Sequence, residues 1–345
     1  MLGIDVSSST VKLVELGRDA SGALQLLHCA MEPLERGWIT EGNIEKYDEV
    51  ADAMRRLVRK SGTRTKNVAM ALPGAAVITK KITLPAGLGE QELEVQVESE
   101  ANQYIPFSLN EVSLDFCIMG PTANAPGDMD VLIAASRKEK VSDRQGLAEA
   151  AGLKPVIMDV ESYASRMAAA RLVETLPNKG RDALIALFEV GSQTTSLQVI
   201  RNDDVVYERD QMFGGSQLTQ LVSKQYGISY EEAELKKRKG ELPADYSAKV
   251  LQPFMESLGQ EVGRALQFFF TSTPHNKVDY ILMSGGSSTL PGLALQVTSQ
   301  TSFPCKTINP FDGMKLAAGV NARKLETEAP SYLVATGLAL RRFYQ

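Results

Sequence analysis

Two stretches half a chain apart repeat one pattern of apolar and polar positions. Residues 3–16 read GIDVSSSTVKLVEL and residues 187–200 read LFEVGSQTTSLQVI. Aligned, Asp5 falls on Glu189, Val6 on Val190, Ser8 on Ser192, Thr10 on Thr194 and Leu13 on Leu197. Each stretch predicts a strand with an acidic residue near its end, a turn of small polar residues and a second, alternating strand. Two such hairpins in register, each opening its own half, predict a duplicated α/β domain.

Between the hairpins the period changes. Val50, Met54, Leu57 and Val58 share one face of a helix expected over 44–61. VAMAL (68–72) reads as a buried strand ended by Pro73-Gly74. From 76 to 158 the order is strand, helix, strand, strand, helix, strand. AVITKKITL (76–84) alternates, and a helix over 89–105 stops before Pro106. Strands at 111–119 and 129–136 flank a Pro/Gly/Asn loop at 120–128, and a second helix covers 137–151. This predicts a small α+β module, 76–158, inserted into the first domain. A small-residue helix near 160–176 leads back to the main body. Past the second hairpin come helices at 216–226, 230–239 and 247–272, a buried strand YILMS (280–284), a glycine turn and a last helix near 332–343. The expected division is a first domain of 1–75 with 159–183 and 325–345, the module, and a second domain of 184–324 with a helical subdomain near 228–272.

Composition narrows the class. The chain has 345 residues, 43% hydrophobic and 23% charged, which suits a two-domain globular protein. A net charge of −5 without a basic stripe argues against nucleic acid. Arg55, Arg56, Arg59 and Lys60 read as a solvated helix face. Cys29, Cys117 and Cys305 are far apart, and the histidines are His28 and His275, so neither a zinc site nor a disulfide framework is expected and a reducing cytoplasm fits. No apolar run reaches the ~18 residues of a spanning helix, and no signal peptide is read. Because a strand starts directly after Met1, a few trimmed native residues are suspected.

The chemistry concentrates at the turns. Holding phosphate needs converging backbone N–H groups, hence small residues in a tight turn. Ser7, Ser8, Ser9 and Thr10 supply one such turn, and Gly191, Ser192, Gln193 and Thr194 the other. Asp5 and Glu189 stand at the strand ends, where a carboxylate can hold the water shell of Mg²⁺. Lys12, seven positions after Asp5, can return across the hairpin as a point charge. Gly285-Gly286 ends a buried strand and lets the backbone approach a ligand. Glu234 and Lys237 share a helix face and could grip ribose and adenine, or could form an ordinary ion pair.

This order of elements resembles the actin-like ATPase superfamily, two RNase-H-like domains around a nucleotide cleft, and the inserted module resembles the branch containing the cell-division protein FtsA. GSQTTSL (191–197), AVITKKITLPAGL (76–88), NQYIPF (102–107), FGGSQLT (213–219), LQFFF (266–270) and NPF (309–311) are similar to the PilM family of type IV pilus assembly proteins, over essentially the whole chain. The resemblance implies ATP or ADP with Mg²⁺ as cofactors. It implies Asp5 and Glu189 as metal residues acting through water, Lys12 on the β- and γ-phosphates, and Glu161 as the residue that orients attacking water. It implies Glu234 and Lys237 as the nucleoside clamp, and Gly214, Gly215, Gly285, Gly286 and Ser287 as turns passing close to the phosphates and adenosine. One departure matters: the superfamily carries aspartate where this chain has Glu189. The longer side chain displaces the carboxylate by about one bond length, and a shift near 1 Å can cost on the order of 10²-fold in rate. Glu189 is therefore expected to be a weak catalytic partner, with nucleotide binding surviving and hydrolysis slow or absent.

The family resemblance implies a cytoplasmic scaffold at the inner face of the inner membrane. Its expected partner is the N-terminal cytoplasmic peptide of the membrane protein PilN, in a groove near 74–104, along with other pilus components. Membrane contact would be indirect, and self-association stays open. An FtsA-like filament protein would carry a C-terminal amphipathic helix after a linker, whereas this chain ends SYLVATGLALRRFYQ. A small-molecule kinase would need a general base beside an acceptor pocket, and no separate acidic candidate stands out.

Overall fold

The computed structural model describes residues 1–123 and 125–343. Internal contacts group Met1–Leu13 with Ala30–Ala164 as one unit, and Val14–Cys29 with Ser165 onward as a second.

The first unit opens with β1 (Leu2–Val6) and the start of β2 (Thr10–Arg18). It resumes within β3 (Leu24–Pro33) and continues through the short strands β4 (Ile39–Thr40) and β5 (Asn43–Ile44) to α1 (Tyr47–Ser61) and β6 (Asn67–Leu72). β2 was expected to alternate, yet Val11 to Leu16 are all buried. β1 and β6 pair in parallel, Leu2 with Val68 and Ile4 with Met70, and these four side chains are fully buried, as a strand covered on both faces requires. α1 buries Val50, Ala51, Ala53, Met54 and Leu57. Its outer face carries the basic cluster, where Arg56 pairs with Glu32 at 2.8 Å and Arg55 with Asp52.

The inserted module is a three-stranded antiparallel sheet of β7 (Ile78–Pro85), β8 (Val112–Pro121) and β9 (Asp128–Arg137), with β9 in the middle. Helix α2 (Glu90–Tyr104) lies in chain order between β7 and β8, and its Leu93, Val97 and Ala101 share a core with Ile82, Leu84, Val131 and Ile133. This sheet closes at Arg137. Helix α3 (Lys138–Ala150) instead places Leu147 and Ala148 in the core of α1, β1 and β6. Strand β10 (Lys154–Val160) pairs in parallel with β6, Val160 opposite Leu72. The expected end at 158 thus falls inside a strand of the other sheet. Apolar alternation reports a half-buried strand but not its neighbour, so the pattern could not separate β10 from β7–β9.

Helix α4 (Glu161–Val173) starts in the first unit and ends in the second. The second unit adds β11 (Ile185–Val190), β12 (Thr195–Arg201), β13 (Asp204–Gln211), α5 (Gly215–Tyr226), α6 (Tyr230–Lys239), α7 (Gln252–Ser272), β14 (Tyr280–Ser284), α8 (Leu293–Thr301) and β15 (Cys305–Thr307). Its sheet runs β13-β12-β11-β14-β15, with β11–β12–β13 antiparallel and β14 and β15 parallel to β11. Phe254, Leu258, Val262, Leu266 and Phe269 of α7 fill its core. β16 (Lys315–Leu316) pairs with β3 at Gln25 and Leu26, and α9 (Ala322–Glu328) and α10 (Leu333–Leu340) follow. The expected division put 159–183 and 325–345 with the first domain, whereas contacts group Ser165 onward with the second. All eight residues of α10 are buried, and a helix apolar all round gives no face from which to read its partner.

Candidate phosphate-binding turns

The first turn is a closed hydrogen-bonded loop. Ser7 donates its backbone N–H to Thr10 O at 3.0 Å and its hydroxyl to the same oxygen at 2.9 Å. Ser8 and Ser9 span the turn, and Ser9 O accepts from Leu34 N at 2.9 Å. β2 returns Lys12 beneath the turn. Its Nζ donates to Asp5 Oδ2 at 2.6 Å and to Ser7 Oγ at 3.2 Å. Asp5 and Lys12 are only 4% and 8% exposed. A buried ion pair contributes little net stability against apolar residues of similar volume, so this one calls for a functional account. Two of the three ammonium donors are committed to Asp5 and Ser7, and lysine has three. Asp5 lies at the carboxyl end of a parallel strand, the edge at which open α/β sheets place ligands. Glu161 opens α4 directly after β10 at the same edge, since β10 and β1 both flank β6; an acidic residue there is favoured by the helix dipole.

The second unit brings three glycine-containing segments together. Gly191 N donates to Thr194 O at 2.9 Å, closing the turn that holds Ser192 and Gln193. Gly215 N and Ser216 N, at the start of α5, donate to Gly191 O (3.0 Å) and Ser192 O (2.8 Å). Ser287 Oγ, after β14, donates to Gly191 O at 3.2 Å. A Cβ on Gly214 would lie 2.5 Å from Ser192 O and 2.7 Å from Gly191 O, backbone atoms that cannot turn away, so the packing admits only glycine at 214; one on Gly215 would crowd the Ser287 hydroxyl. Gly286 follows Gly285 in the turn leading from β14. Glu189 sits in β11 opposite Ser196 and beside Ser284 of β14. Its Oε2 accepts from Ser165 Oγ at 2.7 Å. The hairpins are therefore asymmetric at one position, with Lys12 reaching the acid in the first and Ser196 opposite it in the second.

Glu234 and Lys237 of α6 do form an ion pair, at 2.5 Å. The network is wider than expected. Thr219 of α5, fully buried, donates to Glu234 Oε2 at 2.6 Å and accepts from Lys237 Nζ at 2.6 Å, while Arg238 Nε donates to Glu234 Oε1 at 2.8 Å. Burial raises the Glu234 pKa, but the Lys237 charge and the bonds from Lys237, Thr219 and Arg238 outweigh it and hold the carboxyl at about 2. It is a fixed anion at neutral pH. The sequence pattern missed Thr219, Arg238, Ser165 and Ser216. Thr219 follows Gly215 by one helical turn, and its hydroxyl lies 3.4 Å from Gly215 O.

These residue types fit a magnesium nucleotide. Backbone N–H groups and hydroxyls ring two tight turns, a lysine ammonium stands in one, and a carboxylate stands beside it. Among the described residues no three His, Cys, Asp or Glu side chains cluster as a metal centre. A divalent ion here would be held largely by phosphate oxygens and water, with Asp5 in its outer shell, as suits Mg²⁺.

A solved structure described as a PilM-PilN type IV pilus biogenesis complex is 29% identical, with a TM-score of 0.79, and the match covers 99% of this chain and 97% of that one. The ethanolamine utilization protein EutJ from Carboxydothermus hydrogenoformans is 15% identical at a TM-score of 0.58, with 98% of this chain and 88% of that one covered. The archaeal actin homolog Ta0583 is 12% identical at 0.50, covering 100% and 99%. The last two establish a shared actin-like fold. The family described as type IV pilus assembly protein PilM matches residues 3–343, so the chain belongs to the PilM family of type IV pilus assembly proteins.

Proposed function

We propose that this chain is a nucleotide-binding scaffold of type IV pilus assembly that captures the N-terminal cytoplasmic peptide of PilN. The observation that carries this reading is the full-length family match together with the similarity to the PilM of a PilM-PilN complex. It works at the cytoplasmic face of the inner membrane, tethered through its partner. Consistent with tethering, no helix among the described residues is long and apolar enough to cross a membrane.

The peptide groove is assigned to 74–104. β7 is an edge strand of the module sheet, and an edge offers backbone donors and acceptors to an extended peptide. Exposed Lys80 of β7, on the face that carries Ile82 and Leu84, packs over the Tyr104 ring of α2 at 4.7 Å, and Val95 of α2 is 65% exposed. Titrating the protein with a PilN N-terminal peptide in a calorimeter, with Mg-ATP present, should give saturable one-to-one heats. Absence of binding at low salt would overturn the peptide assignment.

ATP or ADP is the expected ligand, and the turns at Ser7–Thr10 and Gly191–Thr194 are each a candidate seat for phosphate. Lys12 supplies a fixed charge, the glycines at 214, 215, 285 and 286 allow close approach, and Glu234 with Lys237 and Thr219 supports the nucleoside. Mg²⁺ would neutralise phosphate charge, and Asp5 and Glu189 are the carboxylates that would hold it through water. Turnover is slow, because Glu189 replaces the shorter acid and Ser165 already holds one of its oxygens. Phosphate release should fall far below the ~1 s⁻¹ lower end of ordinary turnover, and Glu189→Asp should accelerate it. Ordinary turnover in the unmodified protein would refute this account of Glu189.

A further inference from the structure

Arg144 of α3 is used by nothing described above. It is 2% exposed. Its Nη2 donates to Gly42 O at 3.3 Å, a long bond, and its Nη1 is buried with no acceptor among the described residues. A buried unpaired donor of a charged group costs more than the usual ~1–3 kcal/mol of a neutral one, so its retention needs an account. Its surroundings point to one. A Cβ on Gly42 would lie 2.7 Å from Pro73 Cγ, so the Gly42 carbonyl that Arg144 holds sits at the end of β6. That strand lies between β1 and β10, at whose ends stand Asp5 and Glu161.

We propose that Arg144 is a positioning residue whose buried charge, near the ends of β1 and β10, holds the Asp5 and Glu161 carboxylates in place, and so lets the site favour a nucleoside triphosphate over a diphosphate. This rests on the nucleotide-binding reading above. Two carboxylates at one sheet edge repel each other, and a guanidinium buried nearby offsets that repulsion. Burial works against the Arg144 charge; Glu161, then Asp5, then Asp143 of the same helix favour it. The carboxylates in turn stay aimed at the place where a terminal phosphate and its metal add charge. A diphosphate adds less there and gains less from their placement. A purely structural Arg144, anchoring α3 to Gly42, would stabilise the fold without reference to Glu161.

A double-mutant cycle separates the two. Thermal unfolding of the nucleotide-free protein is measured for the unmodified chain, Arg144→Met, Glu161→Gln and the double variant, and ATP and ADP affinities are measured for each. The combined variant should lose about 2 °C or more less than the sum of the single losses. Arg144→Met should lower the ratio of ATP to ADP affinity about fivefold or more, a coupling within the range measured for contacting residues. Additive unfolding shifts or an unchanged ratio overturn the proposal. Should Arg144→Met not fold, Arg144→Lys carries the test, since it keeps the charge but not the planar fork. A drop in the ratio of about threefold is then expected, and an unchanged ratio overturns it. If the unmodified chain binds neither nucleotide, the nucleotide reading fails, while the unfolding cycle still reports on the carboxylate tie.

Discussion

Lys12→Ala should weaken nucleotide binding about ten- to hundredfold and destabilise the protein in one step. The two effects have different origins. Lys12 is the charged partner of Asp5 at 2.6 Å, with side chains 10% and 4% exposed. Removing one member of a buried pair leaves the other charge without compensation, which costs about 3–5 kcal/mol. The nucleotide loses a charge-assisted contact of about 1.5–3 kcal/mol, or about ten- to hundredfold in affinity. Urea unfolding and titration with a fluorescent nucleotide measure the two separately. The double replacement Lys12→Met with Asp5→Asn removes both charges while keeping the volume. It should recover most of the stability and none of the affinity. Recovered affinity would show that the pair serves the fold alone.

The pair was legible in the sequence because its signal is local. An acidic residue at a strand end, a small polar turn and a lysine seven positions later fix one another through a single hairpin. The glycine pairs were legible for a similar reason: Gly285-Gly286 ends an apolar strand and Gly214-Gly215 precedes a helix. Their convergence was not, because Gly191, Gly215 and Ser287 meet through strand order in a sheet, and pairing of β11 with β14 leaves no local trace. Thr219 and Ser165 were missed because each reads as one hydroxyl on a helix until α6 or β11 is set beside it. Arg144 is the extreme case. A lone arginine in KEKVSDRQGLAEA reads as a solvated position, and only packing of α3 against the sheet reveals it as a buried charge. The module's end was hard to read on the same ground. β10 is a short run with Val156, Ile157 and Met158 in succession, and its parallel pairing with β6 depends on a crossover that includes the whole inserted sheet.

Gly285→Ala should be the most damaging single methyl in the second unit, and two other glycines show why. Gly285 has φ +86°, and a Cβ there would lie 2.5 Å from Val190 O, a backbone atom that cannot rotate away. With ψ at 164° the Gly285 backbone lies in a region essentially reserved for glycine, which costs about 1–3 kcal/mol for a residue with a Cβ, and forced overpacking typically costs about 1–3 kcal/mol more. Gly292 shows a positive φ without crowding: φ is +84°, in the left-handed helical region, and nothing lies within 4 Å of its Cβ position. Gly292→Ala should therefore lower stability by about 1–2 kcal/mol and leave nucleotide affinity unchanged. Gly214 isolates the second, with an extended backbone at φ −173° and a Cβ that would meet Ser192 O at 2.5 Å and Gly191 O at 2.7 Å. Gly214→Ala should displace the 191–194 turn, so it should lose affinity out of proportion to its stability. Gly285→Ala combines both, and Val190 carries its shift directly into Gly191, so stability and nucleotide binding should fall together. Measured by urea unfolding and nucleotide titration across the three variants, equal affinity losses at Gly292 and Gly214 would mean that the turn at 191–194 does not hold the phosphates.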